Sequence, residues 1–218
     1  MPPKAKFKKS EIINVAFDLA RRQGINAVTA RELGKILNCS MSPIFTVCKS
    51  MEQVHHEVYV RAKNLYNENY AKVGLSQELP FKGFGMQYIK FAIDEPNLFQ
   101  MLFMSEQVDT IDPWKTYSMV EDNFKELVAV VQEFYQLSEE DSHNFIQQMW
   151  IFAHGIATLA ATGVYKFSPQ EIGQRMGEIC FGLLFGYKNH KFSQCGLMPD
   201  DTTVTSKRDT LVKFVTLE

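Results

Sequence analysis

The chain has 218 residues, a formal net charge of −2, 45% hydrophobic and 12% aromatic residues. That is enough apolar material to bury a core, which excludes a disordered chain, and no apolar run approaches the roughly 20 residues of a membrane span. The charge is unevenly spread: residues 1–72 hold 12 Lys/Arg against 6 Asp/Glu, and residues 73–218 hold 11 against 19. A basic head on an acidic body is the electrostatic pattern of a nucleic-acid-binding module joined to a part that must not bind DNA.

The spacing of apolar residues, three and four apart rather than two, predicts an all-α chain. The first helix opens at Ser10 and runs to Gln23, with Ile12, Ile13, Ala16, Phe17, Leu19 and Ala20 on its apolar face and Gly24 as its stop. Thr29 and Glu32 have the spacing of a capping box at the start of a second, short helix, whose Leu33, Ile36 and Leu37 are expected to bury against the first. A tight turn at Asn38 and Cys39 leads to a third helix from Ser40, with Pro43 in its first turn. Three small helices on one core make a head of residues 1–50. Two short helices joined by so brief a turn form a helix-turn-helix, whose second member is shaped for the major groove of double-stranded DNA.

A fourth helix, from Met51 towards Lys72, reads as a connector, with apolar positions at Val54, Val58, Leu65 and Tyr66. Helices are then expected at 81–94, 97–104, 113–136, 139–162 and 169–191, giving a helical body over residues 51–192. Ser138 before Glu139-Glu140-Asp141, and Ser168 before Pro169 with Glu171, are the best signed of these starts. Residues 193–218 are polar and turn-rich and read as a loosely docked tail.

Cys39, Cys48, Cys180 and Cys195 lack the C-x-x-C spacing of a zinc or redox site, so neither a metal nor a disulfide is expected. No cofactor fingerprint, catalytic elbow, H-E-x-x-H or phosphate loop appears either, which argues against an enzyme. The protein is expected in the reducing cytoplasm, with no membrane partner. Phosphate contacts fall to the lysine arm Lys4, Lys6, Lys8 and Lys9, to Thr29 and Arg31 at the second helix, and to Lys49. Base contacts fall to Ser40, Met41, Ser42 and Thr46. None of these four is charged, so recognition must use hydroxyls, apolar contacts and DNA shape.

The run Ala30 to Val54, with Leu33-Gly34-Lys35, Asn38-Cys39-Ser40, Ile44-Phe45, Lys49-Ser50 and Glu52, resembles the helix-turn-helix of the TetR family of bacterial repressors. The preceding Ile13, Ala16-Phe17, Leu19-Ala20, Gly24 and Val28-Thr29 extend that resemblance over about residues 9–54. It implies that Phe45 takes the place of the usual recognition-helix Tyr, and Lys49 a phosphate-contacting position. Val47, Cys48 and Met51 depart from the His, Phe and Lys common there, which implies a grip that is either weaker or leans more on the lysine arm. Trp150, His154-Gly155 and the alanines that follow resemble the helix that names the WHG type of C-terminal domain in this family. That implies a body that dimerises through its last two helices and encloses a ligand pocket.

Small residues in the last two long helices, with Gly173, Gly177, Gly182 and Gly186 in the final one, point to a tight neighbour. A second copy packed with twofold symmetry supplies it. An effector pocket is expected among Phe84, Tyr88, Phe103, Trp114, Tyr117, Phe124, Trp150 and His154, suited to an unknown apolar or amphipathic small molecule. The resulting expectation is a homodimeric repressor on a roughly palindromic operator, released by that effector. Two alternatives stay open: a helical DNA-binding protein that acts without an effector, through protein partners or DNA architecture, and a purely protein-binding helical module.

Overall fold

The computed structural model describes residues 7–105 and 121–189, the side chains of residues 80 and 121–123 excepted. Lys4, Lys6, Trp114, Tyr117, Cys195 and the tail 193–218 lie outside the described residues, as does the start of the helix expected from residue 113. The chain is all-α, and the described residues contain no strand.

Helix α1 (Lys9–Gln23) buries all six residues of its expected apolar face. It begins one residue earlier than Ser10, because the Lys8 N–H is taken up by the Glu11 carboxylate at 2.7 Å. Helix α2 (Ala30–Ile36) starts at Thr29, whose hydroxyl accepts the Glu32 N–H at 3.2 Å. The reciprocal half of the expected capping box is not made. The Thr29 N–H goes to the Ala27 carbonyl, and the Glu32 carboxylate pairs with Lys35. Leu33 is fully buried, but Ile36, expected inside, is 49% exposed. The reason is local. The Cys39 N–H bonds back to the Gly34 carbonyl, and a Cβ at Gly34 would stand 2.9 Å from the Cys39 carbonyl oxygen. The turn therefore folds onto the Gly34 side, with Asn38 left-handed at φ 50°, and Ile36 is left facing outward.

Helix α3 (Ser42–Val47) starts two residues later than Ser40. Its first carbonyl acceptor is that of Met41, bonded by the N–H groups of Ile44 and Phe45, while Pro43 has no N–H to place a bond further back. Ile44 and Cys48 fill the floor of the head. Helix α4 (Met51–Tyr66) is capped by the Ser50 hydroxyl on the Gln53 N–H at 3.3 Å. It passes through one wide π turn, Asn67–Ala71, into α5 (Lys72–Leu75), a break in regularity the sequence did not suggest.

The body comprises α6 (Pro80–Asp94), α7 (Pro96–Phe103), α8 (Glu121–Tyr135), α9 (Glu139–Ala161) and α10 (Pro169–Lys188). The serine caps work as expected. Ser138 accepts the Asp141 N–H at 3.1 Å, and Ser168 and Glu171 close a full capping box. Helix α9 packs on α6 and α10, and α8 packs on both α6 and α9. Helices α5 and α6 approach closely, since a Cβ on Gly74 would meet the Phe84 Cα at 2.7 Å. An aromatic cluster of Tyr66, Tyr88, Phe91, Phe99 and Phe103 occupies the centre, with the Tyr88–Phe103 and Tyr66–Phe91 centroids both 5.1 Å apart.

Head and body share one continuous core, from Ile12 of α1 to Ile172 of α10. Their polar joint lies where α1 meets α7. Arg21 grips the Glu95 carboxylate with two hydrogen bonds, the Nε bond at 2.6 Å, and Asn97 donates to the Arg21 carbonyl at 3.0 Å. Glu95 is 5% exposed and is the one charged side chain in the core of the described residues. Its hydrogen bond raises the already high pKa of Arg21 further. Beside it, Tyr70 donates to Asp94 at 3.1 Å, and burial pushes the phenol up to about 12.

Candidate functional site

Two regions can meet another molecule. The first is the outer face of α2, the turn and α3. Thr29 and Arg31 at the start of α2 are exposed, as are Ser40, Met41, Ser42, Thr46 and Lys49. The structure thus gathers these seven candidates on the surface of one small unit. Lys8 is exposed at the edge of α1, whereas Lys9 pairs with Glu57 of α4 and is committed to holding α1 against α4. Thr46 is engaged as well: its hydroxyl donates to the Ser42 carbonyl at 3.0 Å.

Two further residues shape this face. Phe45 is 46% exposed beside Met41 at 52%. His55 of α4 donates from Nε2 to the Val28 carbonyl at 2.7 Å, fixing the entry to α2. A side chain on a long helix bonding a backbone carbonyl 27 residues earlier leaves no periodic trace in sequence, which is why His55 escaped notice.

The second region is an apolar cavity of about 190 Å³ between α6, α8, α9 and α10. Phe84, Tyr88 and Trp150 stand on its wall, together with Leu79, Lys82, Leu127, Ile146, Met149, Met176 and Cys180. Phe103 belongs to the aromatic cluster instead, and Phe124 stacks on His143 with centroids 5.4 Å apart. Neither lines the cavity. His154 lies just behind the wall: the Tyr88 hydroxyl is 2.8 Å from its Nδ1, and the Trp150 ring stacks on it at 5.1 Å. The Tyr135 hydroxyl and Cys180 thiol also meet at the cavity, and burial raises both, Tyr135 to about 12. The methionine and cysteine positions were legible as apolar helix faces, but not as the sides of a void.

Burial lowers the His154 pKa, so the imidazole is neutral. A group whose folded pKa lies below its unfolded value near 6.5 costs stability as pH falls. The unfolded chain takes up the proton first, and the loss stops growing below the folded pKa. Urea denaturation from pH 8 to pH 5 is therefore expected to show a loss of stability below about 6.5 that His154→Gln reduces. An identical slope in the variant would exclude His154 as its source.

Glycines of the last two helices divide into two groups. Gly173 and Gly177 border the cavity, and a Cβ on either would touch nothing. Gly155 and Gly182 lie on the outer surface, and a Cβ there is equally unopposed within the chain. Around them the surface is apolar: Ile151 is 53% exposed, Leu159 40%, Phe181 73% and Phe185 57%. Gly186 is buried. Packing among the described residues thus gives no reason for Gly155 or Gly182.

No helix among the described residues is long and apolar enough to cross a membrane, and no group of His, Cys, Asp or Glu there could hold a metal ion. Residues 81–179 match the family model of the tetracyclin repressor-like C-terminal domain, a similarity that supports a regulator of the TetR family. No curated protein matches the chain.

Proposed function

We propose that the chain is a homodimeric, sequence-specific DNA-binding regulator that represses from a roughly palindromic operator and is released by a small apolar or amphipathic effector. One observation carries the reading: an exposed helix-turn-helix unit, within residues 1–72 that hold 12 Lys/Arg against 6 Asp/Glu, shares the chain with a tetracyclin repressor-like C-terminal domain. In this reading residues 1–50 bind DNA, residues 51–192 bind the effector and the second copy, and residues 193–218 form a tail. Thr29, Arg31 and Lys49 contact phosphates, with the arm Lys4, Lys6 and Lys8 trailing along the backbone. Lys9 is left to its ion pair.

The surface of Ile151, Leu159, Phe181 and Phe185 supports the second copy, with Gly155 and Gly182 allowing close approach. The cavity limits the effector by size. Its 190 Å³ is a little more than the roughly 150 Å³ that takes up benzene, and below the roughly 300–1,000 Å³ of drug-sized sites. A single ring or a short chain matches that size.

The test is selection of bound sequences from a random duplex library, followed by titration at several salt concentrations. An enriched palindrome with steep salt dependence is the expected result, and Lys49→Ala is expected to weaken binding to all sequences and reduce the salt slope by about one unit. Sequence-blind binding would overturn the reading.

A further inference from the structure

The outward face of α3 and the turn before it offers a base pair no bidentate hydrogen-bonding side chain, only the hydroxyls of Ser40 and Ser42. From Ser40 to Thr46 the exposed residues are Ser40, Met41, Ser42, Phe45 and Thr46. Thr46 spends its hydroxyl proton on the Ser42 carbonyl at 3.0 Å, which leaves it only lone pairs and a methyl group to present. Guanine is ordinarily read by a bidentate Arg or Lys, and adenine by a bidentate Asn or Gln. No residue of these types occurs from Ser40 to Cys48. What this face has instead is Met41 and Phe45, 52% and 46% exposed and one helical turn apart.

In the major groove, one base carries an apolar group. Thymine presents its C5 methyl, and side chains without donors discriminate it by contact alone. The surroundings fix the occupant as a polyanion rather than a protein helix. Arg31 in the first turn of α2 and Lys49 just after α3 are exposed, and residues 1–72 carry twice as many Lys/Arg as Asp/Glu.

We propose that Met41 and Phe45 read thymine methyl groups, so that the bases under α3 are A·T-rich and are chosen by apolar contact rather than by bidentate hydrogen bonds. This rests on the reading of the head as a DNA-binding unit.

The experiment replaces single thymines of the selected operator with deoxyuridine, which removes the methyl and nothing else. One or two positions per half-site are expected to lose about fourfold in affinity each, the worth of one buried methyl. Met41→Ser with Phe45→Ser is expected to abolish the thymine–uracil difference while leaving the salt slope of non-specific binding unchanged. Both residues are exposed, and circular dichroism of the double variant verifies its fold. Selected half-sites without thymine, or sequence-specific binding indifferent to every deoxyuridine, would overturn the methyl readout and leave the regulator standing. Absence of sequence-specific binding would overturn both.

Discussion

Phe181→Glu with Phe185→Glu is expected to yield a folded monomer that no longer holds the operator. Both rings protrude from α10, at 73% and 57% exposure, on a surface continuous in character with Ile151 and Leu159 of α9. Burying a large apolar side chain is worth about 1.5–3 kcal/mol, so two rings lost from each copy weaken self-association by at least about 10²–10⁴-fold. The introduced carboxylates add a desolvation cost in the same direction. Because the rings touch little of their own chain, the thermal midpoint of the monomer is expected to change slightly. Sedimentation at micromolar concentration reads the association state. A wild-type chain that sediments as a monomer would remove the premise, and a double variant that stays dimeric would place the interface elsewhere.

Arg21→Ala is expected to destabilise the chain far more than Glu95→Ala, although each removes the same ion pair. Glu95 is 5% exposed, so truncating Arg21 strands a carboxylate in the core. Losing one partner of a buried pair costs about 3–5 kcal/mol; with the Arg21 side chain itself 49% exposed, solvent screening reduces this to about 2–3 kcal/mol. Truncating Glu95 instead leaves a guanidinium that can turn to water, at a cost of about 1 kcal/mol. For a chain of this length the difference amounts to several degrees in thermal midpoint. Equal losses in the two variants would show that the burial of Glu95 does not set the cost.

Much of this fold was legible because its signals are local. The face of α1, the serine caps of α9 and α10 and the proline-marked starts of α6, α7 and α10 each depend on residues within one or two turns. What was missed depends on distant neighbours. Ile36 has the spacing of a core residue but is turned out by the close return of the chain at Gly34. Phe84 and Phe103 are equally aromatic and equally buried, yet one borders a void and the other fills the cluster. Helical spacing cannot separate those two fates, because a cavity is a property of four helices at once. The outer-face glycines were noticeable as costs to helix propensity, and only the space beside them shows that the described residues do not account for that cost.

The wide turn at Asn67–Ala71 bears on how such a chain changes over time. Along this helix the buried positions fall at Val54, Val58, Ala62 and Tyr66, four apart, and then step by five to Ala71. An α-helix advances about 100° per residue, so in an even helix the fifth residue would stand roughly 140° off the buried face. The wide turn has more residues per revolution and returns Ala71 to that face, so the extra residue is absorbed where it sits and the Gly74 crossing keeps its place. Gain or loss of one residue within this turn is therefore expected to leave the seating of head and body, which α1 and α7 also hold, nearly as it is. One residue gained or lost elsewhere in the rod would turn everything beyond it by about 100°.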